Sequence, residues 1–174
     1  MVLQRRVTDV SVLVGRPVTA LEAAQGTTGL SGSWRKDREN SDSMDAPCEL
    51  IRLPWIYRKA LLVLNNMEVE DTEEYIKTTL KAGGLMDVVE CYPWSGEIVK
   101  HKRRDKRKGH HLGRVVRTEK GPCIEVTWEN PYGGDGTDTF VLSEDGLTLT
   151  QITDMTIRDT GERCHYRTVY RRRR

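Results

Sequence analysis

The chain has 174 residues, of which 31% are charged and 37% hydrophobic, and its formal net charge is +2. This length suits one domain with a short extension, and it is enough to bury a core. No stretch approaches the roughly 18 consecutive apolar residues of a membrane span. The mean hydropathy is −0.60, so an integral membrane protein with such a span is excluded.

The N-terminal segment and the cysteines bear on location. Residues 1–30 have no sustained periodicity and end in small polar residues, so we expect an N-terminal extension that could be a leader. The cysteines are scattered without a C-x-x-C pair, which predicts reduced thiols in an intracellular compartment. We therefore expect a cytoplasmic protein, or a chloroplast or mitochondrial one if residues 1–30 are a transit peptide.

Residues 41–66 hold the helical signal. Ser41 or Ser43 can cap a first helix, and Pro54 interrupts the pattern. Because proline is tolerated at the first position of a new helix, two short helices are predicted, over 43–52 and 54–65.

From residue 70 onward the pattern changes to short alternating runs that are typical of strands. About eight runs follow one another, separated by turn signals such as Gly83-Gly84 and Asp145-Gly146. An antiparallel meander of this length removes its edges by closing into a barrel. We predict a mainly β fold: an up-and-down barrel over 31–174, with a helix-turn-helix lid between the first and second strands.

The charge is distributed unevenly. Residues 100–108 carry a local +6 and Arg171 to Arg174 add +4, which leaves the other residues at −8. Basic segments of this kind attract anionic lipid, an acidic protein or nucleic acid, although a solvated loop and a free tail would look the same. No aromatic residue lies between Lys100 and Gly113 for base stacking, so a membrane surface or a protein ranks above nucleic acid. The candidate docking residues are Lys102, Arg103, Arg104, Lys106, Arg107 and Lys108.

The order of these features resembles the calycin superfamily, which includes lipocalin-like proteins and the intracellular fatty-acid-binding proteins. The resemblance covers roughly residues 32–172: a first strand with Gly32-Ser33-Trp34, a helical lid, and a meander whose last strand ends near Tyr170. It implies an interior cavity that binds a small lipophilic ligand with a polar head. Because some calycins isomerise or cyclise their ligands, the resemblance also leaves an enzyme on the same barrel open.

The last strand departs from the family pattern. The family has Arg-x-Tyr where this chain has Thr168-Val169-Tyr170, so the family arginine that would meet a carboxylate head is replaced by Thr168. A buried carboxylate needs a cation or several donors. Either another arginine such as Arg117 reaches into the barrel, or the ligand is neutral. The candidate ligand-binding residues are Tyr166, Thr168, Tyr170, Trp128, Arg117 and Trp55.

Catalytic and metal motifs are not found in the sequence. It has no G-x-S-x-G, P-loop or dinucleotide fingerprint and no zinc-ligand spacing, so we assign no catalytic residue, metal or cofactor. Three functions remain open: a monomeric, non-catalytic carrier of a small lipophilic ligand; an interaction module that uses residues 100–108 and the C-terminal arginines; and an isomerase-like enzyme on the same barrel. The enzyme question stays open, with the non-catalytic reading favoured.

Overall fold

The structure, a computed structural model, describes residues 27–61, 63–81 and 87–174. These residues form ten strands and two short helices. The helices are α1 (Asp45–Leu50) and α2 (Trp55–Leu61). The strands are β1 (Gly32–Asp37), β2 (Asn66–Asp71), β3 (Tyr75–Lys81), β4 (Val88–Pro93), β5 (Val99–Lys102), β6 (His110–Thr118), β7 (Gly121–Trp128), β8 (Gly134–Leu142), β9 (Thr148–Ile157) and β10 (Arg163–Arg172).

The ten strands form one sheet in the order β4-β3-β2-β1-β10-β9-β8-β7-β6-β5. All neighbours are antiparallel, and the first strand closes the barrel by pairing with the last, with Trp34 opposite Arg172. Both helices lie between β1 and β2, as predicted. None of the described helices is long and apolar enough to cross a membrane.

Alternation along each strand separates the two faces of the sheet. On β7, Ile124, Val126 and Trp128 are buried and point inward. Between them, Glu125 points outward, where its carboxylate pairs with Arg114 on β6 at 2.7 Å. The core therefore lies inside the barrel, and a charged outer face covers it.

Trp34 plugs one end of the barrel. Its side chain is fully buried, and its Nε1 donates to the carbonyl of Leu30 at 2.9 Å. The guanidinium of Arg172 lies 4.2 Å from the Trp34 ring centroid. Because Arg172 also donates to the carbonyls of Gly29, Ser31 and Gly146, it ties the start of the described chain to its end.

Strands β4 and β5 are the two edges of the sheet, and side chains close the seam between them. His101 Nε2 lies 3.2 Å from the Cys91 carbonyl oxygen. The Tyr92 ring packs against Gly113 on β6, so closely that a Cβ at Gly113 would lie 2.7 Å from Tyr92 Cε1. Tyr92 itself is fully buried.

The fold prediction is confirmed, with differences in detail. The helices are shorter than predicted, and β2 was not predicted because four of its six residues are acidic or amide residues, although Met67, Val69 and Asp71 alternate inward. The predicted turn at Gly83-Gly84 and most of the predicted extension 1–30 lie outside the described residues. Leu30 is already part of the core. The boundary at residue 31 stays a prediction.

Candidate ligand-binding cavity

A cavity of about 260 Å³ lies inside the barrel beneath the two helices. It is close to the lower limit of about 300 Å³ for small-molecule sites. Its wall combines apolar side chains with a compact group of charged ones. The apolar part includes Met67, Leu80, Ile124, Val126, Trp128, Phe140 and Met155 from the strands and Ile51, Leu53, Tyr57 and Leu61 from the lid.

The last strand turns one face into this cavity, as predicted. Tyr166, Thr168 and Tyr170 all line it, and Tyr170 Oη donates to Gln151 Oε1 at 3.4 Å. Burial raises the pKa of both tyrosines, so they stay neutral hydroxyls at physiological pH. Trp128 also lines the cavity, and its Nε1 donates to the Tyr132 carbonyl at 2.6 Å. Ligand binding by these four residues stays a prediction.

Arg104 links two carboxylates in the interior of the barrel. Its Nε and Nη2 donate to the two oxygens of Glu90 on β4, each at 2.7 Å. Its Nη1 donates to Asp138 Oδ2 on β8 at 2.6 Å. Glu90 and Asp138 are buried, and Arg104 spans the space between two separate parts of the barrel wall. These three residues are called the charged cluster below.

Neighbouring polar side chains complete the charged cluster. Gln151 Nε2 and Thr153 Oγ1 donate to Asp138 Oδ1 at 2.9 and 2.6 Å. Tyr92 Oη donates to Glu90 Oε2 at 3.1 Å, and His111 Nε2 lies 3.2 Å from Glu90 Oε1. Every carboxylate oxygen of the charged cluster therefore has a partner.

The pKa of Glu90 reflects two opposing effects. Burial alone would raise this pKa, because a charged carboxylate loses its hydration. The positive charge of Arg104 and the hydrogen bonds from His111 and Arg104 outweigh burial and hold the pKa of Glu90 well below its ordinary value near 4.5. Glu90 is thus a fixed anion at neutral pH and not a free base.

The basic segment 100–108 differs from the prediction. Arg104 lines the cavity and keeps 37% of its side chain accessible, and Arg103 is only 3% exposed. Arg103 and Arg107 both pair with Asp105, at 2.7 and 2.9 Å. The guanidinium groups of Arg103 and Arg104 are thus engaged by acceptors within the protein, which leaves them fewer donors for a surface partner. Docking by these two residues stays a prediction. Lys102, Lys106 and Lys108 are exposed, and docking by them stays a prediction.

Arg107 connects this segment to the lid. Its Nη1 and Nη2 donate to the carbonyls of Ile51 and Arg52, each at 2.7 Å, just after the end of α1. These are carbonyls that the end of a helix leaves free, and arginine satisfies them well. Arg107 is therefore partly withdrawn from the surface as well.

Two further candidates do not reach the cavity. Trp55 is 65% exposed on the outside of α2, with Lys59 Nζ 4.8 Å from its ring centroid. The side of the lid that faces the cavity consists of Tyr57, Ala60, Leu61 and Leu64. Trp55 precedes Tyr57 by two positions, which places it on the opposite side of the helix.

Arg117 is on the inward side of β6 by alternation, but it lies at the far end of the strand from His111, about 20 Å away. There its guanidinium stacks 3.9 Å from the centroid of the Trp94 ring. Neither Arg117 nor Trp55 is among the residues that line the cavity, so their predicted role in ligand binding gains no support from this placement and stays a prediction. The arginine that does line the cavity is Arg104, the fifth residue of the basic segment 100–108, which was expected to lie at the surface.

The four cysteines are free, and two of them, Cys48 and Cys123, are buried. Burial raises the pKa of both thiols, which makes them poor nucleophiles. Among the described residues, no group of three or more His, Cys, Asp and Glu side chains could hold a metal ion.

The fold is a ten-stranded antiparallel barrel with a two-helix lid, and three solved structures share it. Lipid binding protein 8 of Caenorhabditis elegans, solved without ligand, superposes with a TM-score of 0.64 at 11% identity, over 83% of this chain and 96% of that one. Secretory abundant heat soluble protein 4 of Ramazzottius varieornatus has a TM-score of 0.60 at 11% identity, over 84% and 96%. The fluorescent protein UnaG has a TM-score of 0.60 at 15% identity, over 82% and 96%.

At these identities the likeness shows the fold alone. No protein-family model matches the sequence. No curated protein matches it either. The predicted resemblance to the calycin fold is therefore confirmed by structure rather than by sequence.

Proposed function

We propose that this barrel binds and carries a small lipophilic molecule without catalysing a reaction on it. The observation that supports this most is the cavity of about 260 Å³ beneath the lid, with an apolar wall and one polar region. Such a combination buries a hydrophobic body and orients a polar group. One of the structural neighbours is named a lipid binding protein. The free cysteines support the proposed intracellular location.

A cavity-filling variant tests this function. Thr168 faces the cavity near the middle of β10, so Thr168→Phe places a ring where the ligand would lie. We expect saturable binding of the neutral fluorescent probe N-phenyl-1-naphthylamine to the wild type and at least about tenfold weaker binding to Thr168→Phe. Fluorescence titration measures both.

The control places the same ring one residue away, on the outer face of the same strand. Arg167 is exposed, so Arg167→Phe should leave probe affinity unchanged. Native mass spectrometry with organic extraction adds a direct test for a co-purifying ligand. A wild-type protein that binds neither the probe nor any extractable lipophile would overturn the carrier function.

A second candidate is docking to an anionic membrane or a protein. The observation that favours it is the exposure of Lys102, Lys106 and Lys108 on one loop, together with the exposed apolar residues Trp55 and Ile56 on α2. We propose docking as an addition to ligand binding and not as a replacement for it.

A further inference from the structure

Within the charged cluster, the group that a ligand could reach is the guanidinium of Arg104. Its side chain is 37% accessible, whereas those of Glu90 and Asp138 are 4% and 2% accessible. Arg104 lines the cavity and bridges two separate parts of its wall, and we infer that a ligand in the cavity would meet part of this accessible surface. The carboxylates lie behind it.

Arg104 keeps unused donors. A guanidinium has five N–H groups, and the contacts to Glu90 and Asp138 occupy three of them. The remaining two can donate to an oxygen of a ligand. The planar face of the group can also stack on a flat ring.

The charge of the cluster decides what kind of oxygen that is. Two carboxylates surround one guanidinium, so the charged cluster carries a net charge of −1. Together with the neighbouring His111, the four residues sum to −1 when the imidazole is neutral and to zero when it is protonated. In neither state is a positive charge left over. An ionised ligand carboxylate would lose its hydration beside two existing carboxylates, which is costly.

Lys36 and Lys106 also line the cavity, but neither pairs with Glu90 or Asp138, so the net charge around Arg104 is unchanged. Burial, with a contribution from Arg38, lowers the pKa of Lys36 on β1. Lys106 is exposed and donates to the Asp87 carbonyl at 3.4 Å. A ligand carboxylate held by Lys36 is therefore the competing arrangement that an experiment has to separate.

Resting on the proposed ligand-binding function, we propose that the ligand of this cavity carries an uncharged hydrogen-bond acceptor, a carbonyl or hydroxyl oxygen, that binds the free N–H groups of Arg104. The Glu90 and Asp138 carboxylates neutralise the arginine in advance and so exclude ionised carboxylic acids. The site then selects neutral lipophiles such as esters, ketones, amides and alcohols over fatty acids.

A matched pair of competitors tests this selection. Methyl nonanoate and decanoic acid have the same number of carbon atoms, and at pH 8 only the acid is charged. Both would be used to displace N-phenyl-1-naphthylamine from the wild-type protein. We expect the ester to bind at least about tenfold more tightly than the acid. Equal or tighter binding of the acid overturns this inference and leaves the carrier function intact, whereas failure of the probe to bind overturns both.

Charge variants test the cause of the selection. Asp138→Asn removes one negative charge from the cluster and should raise decanoate affinity at least about tenfold, with ester affinity changed less than about threefold. Glu90→Gln is the second variant if Asp138→Asn does not fold. Glu125→Gln is the matched control, since it removes the same charge on the outer face, and it should change neither affinity. A folded Asp138→Asn or Glu90→Gln protein with unchanged decanoate affinity would contradict the proposal.

The Lys36→Met variant distinguishes binding of the decanoate carboxylate at Arg104 from binding at Lys36. If the charged cluster controls selection, the gain in decanoate affinity of Asp138→Asn persists when Lys36→Met is added. Loss of that gain would show that the carboxylate binds at Lys36 and would overturn the assignment to Arg104.

Discussion

Arg104 illustrates how one side chain can determine both the packing and the chemistry of a cavity. It follows β5 in a run of cations that would be exposed in most proteins, but it enters the barrel and makes three charge-assisted hydrogen bonds. Ion pairs in the interior often add little net stability compared with apolar side chains, while loss of one partner is severe. The stability of the barrel interior therefore depends on Arg104, because its loss would leave two buried carboxylates without their main cation.

Removal of this one cation should destabilise the fold. Arg104→Met leaves Glu90 and Asp138 buried without a counter-charge, and we expect a loss of about 3 kcal/mol in the free energy of unfolding at pH 7. Arg114→Met is the control, because Arg114 pairs with the partly exposed Glu125 on the outer face, and it should cost at most about 1 kcal/mol. Urea denaturation measures both, and equal losses would contradict the assigned role.

The pH dependence of the same variant gives a second measurement. In the wild type the pKa of Glu90 is lower when folded than when unfolded, so its stabilising contribution is present above pH 4.5 and decreases as the pH falls below that value. Without Arg104, the effect of burial, which raises the pKa of Glu90, loses its main opposing charge, so protonation of Glu90 favours the folded state. The stability deficit of Arg104→Met should therefore shrink as the pH is lowered from 7 to 4, and a constant deficit would contradict this account.

Part of the site could be predicted at the residue scale. The inward face of β10 follows from strict alternation, and Glu90 and Asp138 occupy inward positions on their strands next to Tyr92 and Phe140, a signal that was present in the sequence. The direction of Arg104 was not predictable, because its rotamer depends on acceptors that are 14 and 34 residues away along the chain. Local charge density pointed to the surface instead.

At the scale of elements, the seam between β4 and β5 is the weakest line of the barrel. Other neighbouring strands are joined by backbone ladders, whereas this seam depends on packing by Tyr92 and on the contact between His101 and the Cys91 carbonyl. Gly113 on β6 provides the space for the Tyr92 ring. The absence of a side chain at this position is thus part of the closure.

Gly113→Ala tests the closure. The added methyl would lie 2.7 Å from Tyr92 Cε1, so the ring or the strand has to move, and we expect a loss of about 1–3 kcal/mol in unfolding free energy. The same substitution in a Tyr92→Leu background should cost at least about 1 kcal/mol less, since the colliding ring is gone. Urea denaturation measures the free energies of this double-mutant cycle. Additive effects would show that contact with the Tyr92 ring is not the reason why Gly113→Ala is destabilising.

At the scale of the whole molecule, the structure shows that several charges of the two basic segments are paired within the protein. The two basic segments are less basic at the surface than their sequence indicates. Arg103, Arg104 and Arg107 have partners within the protein, and in the tail Arg171 pairs with Asp37 at 2.9 Å. What remains on the loop is a group of exposed lysines, and docking has to depend on them.

The triple variant Lys102→Ser, Lys106→Ser and Lys108→Ser tests docking. If these lysines hold the barrel on an anionic membrane, their removal should weaken binding to phosphatidylserine-containing vesicles at low salt, at about 1 kcal/mol per lysine near the surface. Serines at the exposed positions Lys120, Arg163 and Arg173 remove the same charge elsewhere and serve as the control. Vesicle co-sedimentation measures both. Equal binding by the triple variant and the wild type would mean that the loop is merely solvated.

The hydrogen bonds of the cavity wall have one more consequence. Among buried side-chain nitrogen and oxygen atoms of the described residues, only Asp71 Oδ1 has no partner, and Asp71 does not line the cavity. The polar groups of the cavity wall are therefore satisfied by the protein itself. If the barrel is the carrier that we propose, release of a ligand would leave these hydrogen bonds in place, so the same molecule could bind again.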